Sequence, residues 1–138
     1  MGLSPKLWGA KAWHLIHSVA LTYPLHPTEN DKNEYRIFYE SLSNVLPCAA
    51  CASHYKDKLE KMPINLSSRQ NLFKWTVDLH NDVNIHLGKP ILSYQQAIDD
   101  LHKNNELYKE WVNYGTFAAA AVISAILTIG FIAVVKKT

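Results

Sequence analysis

Between Thr116 and Val135 the chain runs for twenty residues without a charged side chain, and this run bounds everything else it can fold into. A helix of that length extends about 30 Å, the thickness of a bilayer's hydrocarbon core. The other reading, a buried core helix, sits badly with Lys136-Lys137 directly after the run. We therefore expect one C-terminal transmembrane helix within residues 111–138 as an anchor, which leaves residues 1–110 for a folded domain. A domain of that size buries a real core with an ordinary stability margin, so a bound cofactor or a second subunit would add to it appreciably.

Charge narrows the function classes. The chain carries 14 Lys plus Arg against 12 Asp plus Glu, a formal charge of +2, and the two surplus positives are Lys136 and Lys137. The domain is thus neutral and lacks the basic face that nucleic-acid binding needs. Met1 to Ala20 holds polar and cationic residues throughout, unlike a signal peptide, and Lys6 stands where a myristoylation pattern wants Ser or Thr. The lysine pair alone favours a cytoplasmic C-terminus, whereas a C-terminal anchor without a signal sequence leaves the domain in the cytosol. The second argument weighs more, giving the expectation of a single-pass, membrane-anchored protein with a cytosolic domain.

The rest of the chain reads as all-α. Leu7, Ala10, Trp13, Leu15-Ile16, Val19 and Ala20 recur at helical spacing up to Tyr23-Pro24, and Tyr35, Phe38-Tyr39, Leu42 and Val45 mark a second helix over about Asp31–Val45. A third begins after Pro47 and runs to about Lys61, and a fourth, capped by Ser67-Ser68, runs through Leu87 and stops at Gly88 and Pro90. A short fifth starts at Ser93, with Ala97, Ile98, Leu101 and Leu107 inward. No alternating strand pattern or repeat interrupts this, so the expected architecture is a four-helix bundle plus a short fifth helix, followed by the span.

The only two cysteines lie in Leu46-Pro47-Cys48-Ala49-Ala50-Cys51, at the start of the third helix. Proline in a first turn wastes no donor, and the free N–H groups and helix dipole there stabilise a thiolate. Cys48 should exchange with an outside thiol, and Cys51, one turn further in, should face whatever reoxidises the pair. Read alone, the pair also fits zinc binding or buried filler.

Two helices carry further polar and aromatic groups. On the first, Trp13 and His17 are one turn apart, and Gly9, one turn earlier and beside Trp8, would let something bulky approach the backbone. An aromatic core face with a satisfied histidine explains the same residues. On the fourth, Trp75, His80 and Asn84 are expected to follow nearly one face, with Asn81 beside it and Lys89 placed to meet a phosphate. Amides and an imidazole are costly on a purely structural face, which favours a polar ligand there. There is no Gly-x-Gly-x-x-Gly turn and no phosphate loop, so side chains would have to hold any nucleotide cofactor.

Trp8-Gly9 with Trp13 and His17, then Pro47-Cys48-Ala49-Ala50-Cys51-Ala52, then His80-Asn81-Asp82-Val83-Asn84 with Leu87-Gly88-Lys89-Pro90, resemble in order and spacing the Erv/ALR family of FAD-linked sulfhydryl oxidases. The resemblance covers about residues 7–90. It implies FAD held in the bundle beside the Cys48–Cys51 pair. The matching flavin-site positions are Gly9, Trp13 and His17, with His80, Asn81, Val83, Asn84 and Lys89; Trp8, Trp75, Arg69 and Tyr39 are further candidate contacts. It also implies a reaction in which a substrate thiolate attacks Cys48, Cys51 passes electrons to the flavin, and dioxygen is reduced to hydrogen peroxide. A homodimer packed through the first two helices follows from the same likeness.

The chain departs from the family pattern in three places. The family's extra structural disulfide would fall at Val77 and Tyr94, its shuttle cysteine pair is absent, and Leu46 replaces the aromatic before Pro47. Such a minimal single-dithiol form is similar to the enzymes of large cytoplasmic DNA viruses, and so implies a virion or host-membrane component. Without a shuttle pair, the expected partner is a thioredoxin-like protein docking directly at Cys48. The alternative is a zinc-stabilised membrane adaptor using Cys48, Cys51 and two of the seven histidines, but His80 and His86 fall on different faces and no second Cys-x-x-Cys exists. We therefore expect no metal.

Overall fold

The computed structural model describes residues 2–103. They form five helices, α1 (Pro5–Leu21), α2 (Glu29–Val45), α3 (Ala49–Lys61), α4 (Arg69–His86) and α5 (Tyr94–His102), and no strand occurs among them. Residues 2–101 pack as one unit. Among the described residues no helix is long and apolar enough to cross a membrane; the uncharged run and Leu107 lie outside them.

Each helix starts where a short polar side chain can take a free backbone donor. Ser4 caps α1 with Pro5 in its first turn, and Thr28 and Asp31 form a reciprocal capping box on α2. Ser68 caps α4 by accepting from Asn71 N–H at 3.1 Å. The C-terminus of α4 is built differently. Gly88 has φ of +64°, Gly88 N–H donates to Ile85 C=O at 3.1 Å, and Lys89 N–H reaches back to Asn84 C=O at 2.8 Å. This is a Schellman motif, and it ties the lysine's backbone to the residue one turn inside the helix.

Helix α4 is the core element, burying Leu72, Phe73, Trp75, Thr76, Val77, Leu79 and Asn84, and it packs chiefly on α1 while α2 packs on α3. Buried aromatics fasten the layers by donating to backbone carbonyls: Tyr23 Oη to Leu66, Tyr39 Oη to Ile16, Tyr55 Oη to Tyr39 and Trp75 Nε1 to Met62, all at 2.8–3.1 Å. Burial raises the phenol pKa of Tyr39 and Tyr55 far above the ordinary range, so both stay protonated donors. An ion pair closes the α3–α4 seam, Lys58 Nζ donating to Asp82 Oδ1 at 2.6 Å and His54 Nε2 lying 3.1 Å from Oδ2.

Several sequence expectations change. Helix α3 begins at Ala49, so Pro47 stands before the cap instead of in the first turn. Val45, expected inward, is 67% exposed. Trp75 does not share a face with His80; five residues at 3.6 per turn separate them by about 140° around the helix. It packs edge-on against Tyr39 on the opposite side. At the position where the family would have a disulfide, Tyr94 instead donates to Asp78 at 2.9 Å and lies under the Lys74 ammonium.

Candidate active site

Helices α1, α3, α4 and α5 enclose a cavity of about 770 Å³, within the range of small-molecule sites. Cys51 lines it and Cys48 does not. The two are joined as a disulfide with Cα atoms 5.2 Å apart. Cys48 is the N-cap of α3, in extended conformation, and its Sγ accepts from Cys51 N–H at 3.2 Å. The backbone donor of the first turn thus serves the outer sulfur. The segment before α1 holds this corner: Leu3 N–H donates to Pro47 C=O at 2.7 Å, and Trp8 Nε1 donates to Leu3 C=O at 3.3 Å.

Of the positions singled out in the sequence, Trp8, Gly9, Trp13 and His17 from α1 and His80, Val83, Asn84 and Lys89 from α4 and its cap all line the cavity. Trp13 and His80 stack face to face, 4.2 Å between centroids and 8° between planes. A Cβ on Gly9 would meet nothing within 4 Å, and its φ is not positive, so neither packing nor backbone strain there requires glycine. Asn84 is 7% exposed, yet its carboxamide has no hydrogen-bond partner among the described residues. Burial, then the neighbouring His80 and His14, lowers the His17 pKa to about 3; burial, then Lys89, lowers that of His80 to about 4. Both imidazoles are neutral at physiological pH.

Four other positions do not line the cavity. Tyr39 and Trp75 are core aromatics, and Arg69 Nε donates to the Tyr23 carbonyl, closing the α1–α2 turn on α4. The Asn81 carboxamide brackets Leu92, donating to its C=O at 2.8 Å and accepting from its N–H at 2.7 Å. That holds the loop before α5 against α4, so Asn81 shapes the wall without facing the space. Conversely, His54, Tyr55, Leu92 and Leu101 line the cavity and were not anticipated. His54 was within reach of the sequence, because it lies three residues after Cys51 and therefore on the same helix face.

Comparison with known proteins agrees with this arrangement. Residues 10–108 match the model of the Erv1 / Alr family. A "Probable FAD-linked sulfhydryl oxidase" of Acanthamoeba polyphaga mimivirus is 48% identical over 104 residues, covering 73% of either chain. The "Mitochondrial FAD-linked sulfhydryl oxidase ERV1" of Saccharomyces cerevisiae is 37% identical over 82 residues, 59% of this chain and 43% of that protein. In three dimensions, the crystal structure of the FAD-binding domain of Erv1 from Saccharomyces cerevisiae superposes with a TM-score of 0.69 at 29% identity, covering 75% of this chain and 99% of that one. The match spans the dithiol, the stacked Trp13–His80 pair and the α4 cap together, and the chain belongs to the Erv1 / Alr family.

Proposed function

We propose that this chain is an FAD-linked sulfhydryl oxidase that forms disulfides in thiol-bearing proteins and delivers the electrons to dioxygen. The observation that carries the reading is a disulfide whose inner sulfur residue, Cys51, lines the same cavity as the stacked Trp13 and His80. The cavity fits the cofactor: Gly9 leaves space that a Cβ would fill, Asn84 brings an amide without a partner among the described residues, and Lys89 brings a cation to the lining. Trp8, Gly9, Trp13, His17, His80, Val83, Asn84 and Lys89 would hold FAD, with Asn81 fixing the wall behind them. Bound FAD would supply a two-electron acceptor for the dithiol and a route to dioxygen, with hydrogen peroxide as product.

The protein's own chemistry is thiol–disulfide exchange. A substrate thiolate attacks Cys48 Sγ, forming a substrate–Cys48 disulfide and releasing Cys51 as a thiolate. A second substrate thiolate attacks the substrate sulfur of that bond, and the Cys48 thiolate leaves, accepting a hydrogen bond from Cys51 N–H. The substrate loses two electrons and the dithiol gains them. Substituting Cys48 or Cys51 by Ser should abolish thiol-dependent oxygen consumption while flavin stays bound; turnover retained in either variant would overturn the mechanism. A zinc adaptor has less support, because the cysteines pair with each other and no three His, Cys, Asp or Glu side chains converge among the described residues.

The partner is a thioredoxin-like protein that meets Cys48 directly, since the 138 residues contain no other cysteine pair. Exposed Leu7 and Leu15 on α1 and Ile37 on α2 support a homodimer through these helices. The run 116–135 supports a C-terminal membrane anchor with the oxidase domain in the cytosol, on a virion or host membrane. Sedimentation and carbonate extraction of the full chain test the dimer and the anchor.

A further inference from the structure

Beneath the Trp13–His80 stack lies a chain of hydrogen bonds whose direction can be worked out. Thr76, fully buried, donates its hydroxyl to Phe73 C=O at 2.7 Å. A hydroxyl has one proton, so toward His17 Nδ1, 2.9 Å away, Thr76 Oγ1 can only accept. His17 therefore carries its proton on Nδ1, and its Nε2 is an acceptor. His80 Nδ1 lies 3.1 Å from that Nε2 and must be the donor. A neutral imidazole has one N–H, which leaves His80 Nε2 with a lone pair and no partner among the described residues. His80 lines the cavity, and an acceptor there suits the cationic rim that Lys89 provides.

We propose that Thr76 is a positioning residue that sets the tautomers of His17 and His80, so that His80 presents Nε2 to the cavity as a hydrogen-bond acceptor for an N–H or O–H group of the bound cofactor. The proposal rests on the oxidase reading for the ligand's identity, but the tautomers themselves do not. The lowered pKa values of both histidines support it, because an imidazolium at either position would put a proton on His80 Nε2 and turn that acceptor into a donor. Replacing Thr76 by Val removes the acceptor at its start. The buried His17 proton then gains by moving to Nε2, His80 Nδ1 becomes the acceptor, and His80 Nε2 turns into a donor.

Imidazole nitrogen NMR of the isotope-labelled full chain near neutral pH tests this. In the wild type, His17 and His80 should both show protonated Nδ1 and pyridine-like Nε2. In Thr76→Val the His80 Nε2 signal should become pyrrole-like and the affinity for FAD should fall about tenfold, the effect of a lost hydrogen bond that leaves a mismatched group. Thr76→Ser should restore both. A pyrrole-like His80 Nε2 in the wild type overturns the proposal whether or not the Val variant folds, as does a Val variant with wild-type tautomers. Failure of the oxidase reading would show separately, as a preparation without flavin absorbance whose tautomers are nevertheless as stated.

Discussion

Mild acid should weaken this fold well before its carboxylates are protonated, because two histidines are held neutral inside it. In the unfolded chain each titrates near 6.5, whereas in the fold His17 stays neutral to about 3 and His80 to about 4. Between those limits the unfolded state binds more protons than the folded one, so stability is fully present above 6.5 and is lost as pH falls through the window. At about pH 5 one such histidine costs about 2 kcal/mol relative to neutral pH. His17, 4% exposed, bears that in full. His80 is half-buried, and screening reduces its share to about half, for a total of about 3 kcal/mol. That is a large part of the margin of about 5–15 kcal/mol that a domain of this kind has. Urea unfolding of the flavin-free protein at about pH 7.5 and about pH 5, followed by tryptophan fluorescence, measures the loss. The double variant His17→Asn/His80→Gln should be less stable at neutral pH yet nearly flat across the window. A wild-type change below about 1 kcal/mol, or a double variant that keeps the full slope, would refute the reasoning.

Other consequences can be measured on the same preparations. Gly9→Ala should raise the melting stability of the flavin-free protein by about 1 kcal/mol, because a mid-helix glycine is costly and its Cβ would meet nothing; Gly9→Leu should leave folding intact and lower the flavin-to-protein ratio. Gly88→Ala, at φ of +64°, should cost about 1 kcal/mol in denaturant titration and weaken FAD retention by loosening the turn that carries Lys89. Asp82→Asn should lower stability by about 1 kcal/mol, since it removes the shared acceptor of Lys58 and His54 between α3 and α4, and the loss should shrink in high salt.

The helices and most of the cavity wall were legible in the sequence because they follow local rules. The cap at Ser68, the stop at Gly88 and the face shared by Gly9, Trp13 and His17 are set by residues within one turn of each other. The positions that went elsewhere depend on which side of a helix meets which neighbour. Trp75 and Tyr39 carry the polar-aromatic character of cofactor contacts, yet their donors satisfy the Met62 and Ile16 carbonyls in the core. Asn81 lies beside His80 in sequence, but its amide is taken by the half-buried loop backbone at Leu92 and not by the cavity. Thr76 gave no signal, because a mid-helix threonine reads as filler until the His17 ring, fifty-nine residues away, is seen 2.9 Å from its hydroxyl.

The central claim, that Cys51 communicates with a flavin in this cavity, is tested most directly by the visible absorbance of the purified chain as dithiothreitol is added without oxygen. The account predicts a yellow protein that bleaches on thiol addition and recovers in air, while Cys48→Ser and Cys51→Ser stay yellow. A colourless wild type, or variants that bleach at the wild-type rate, would contradict it.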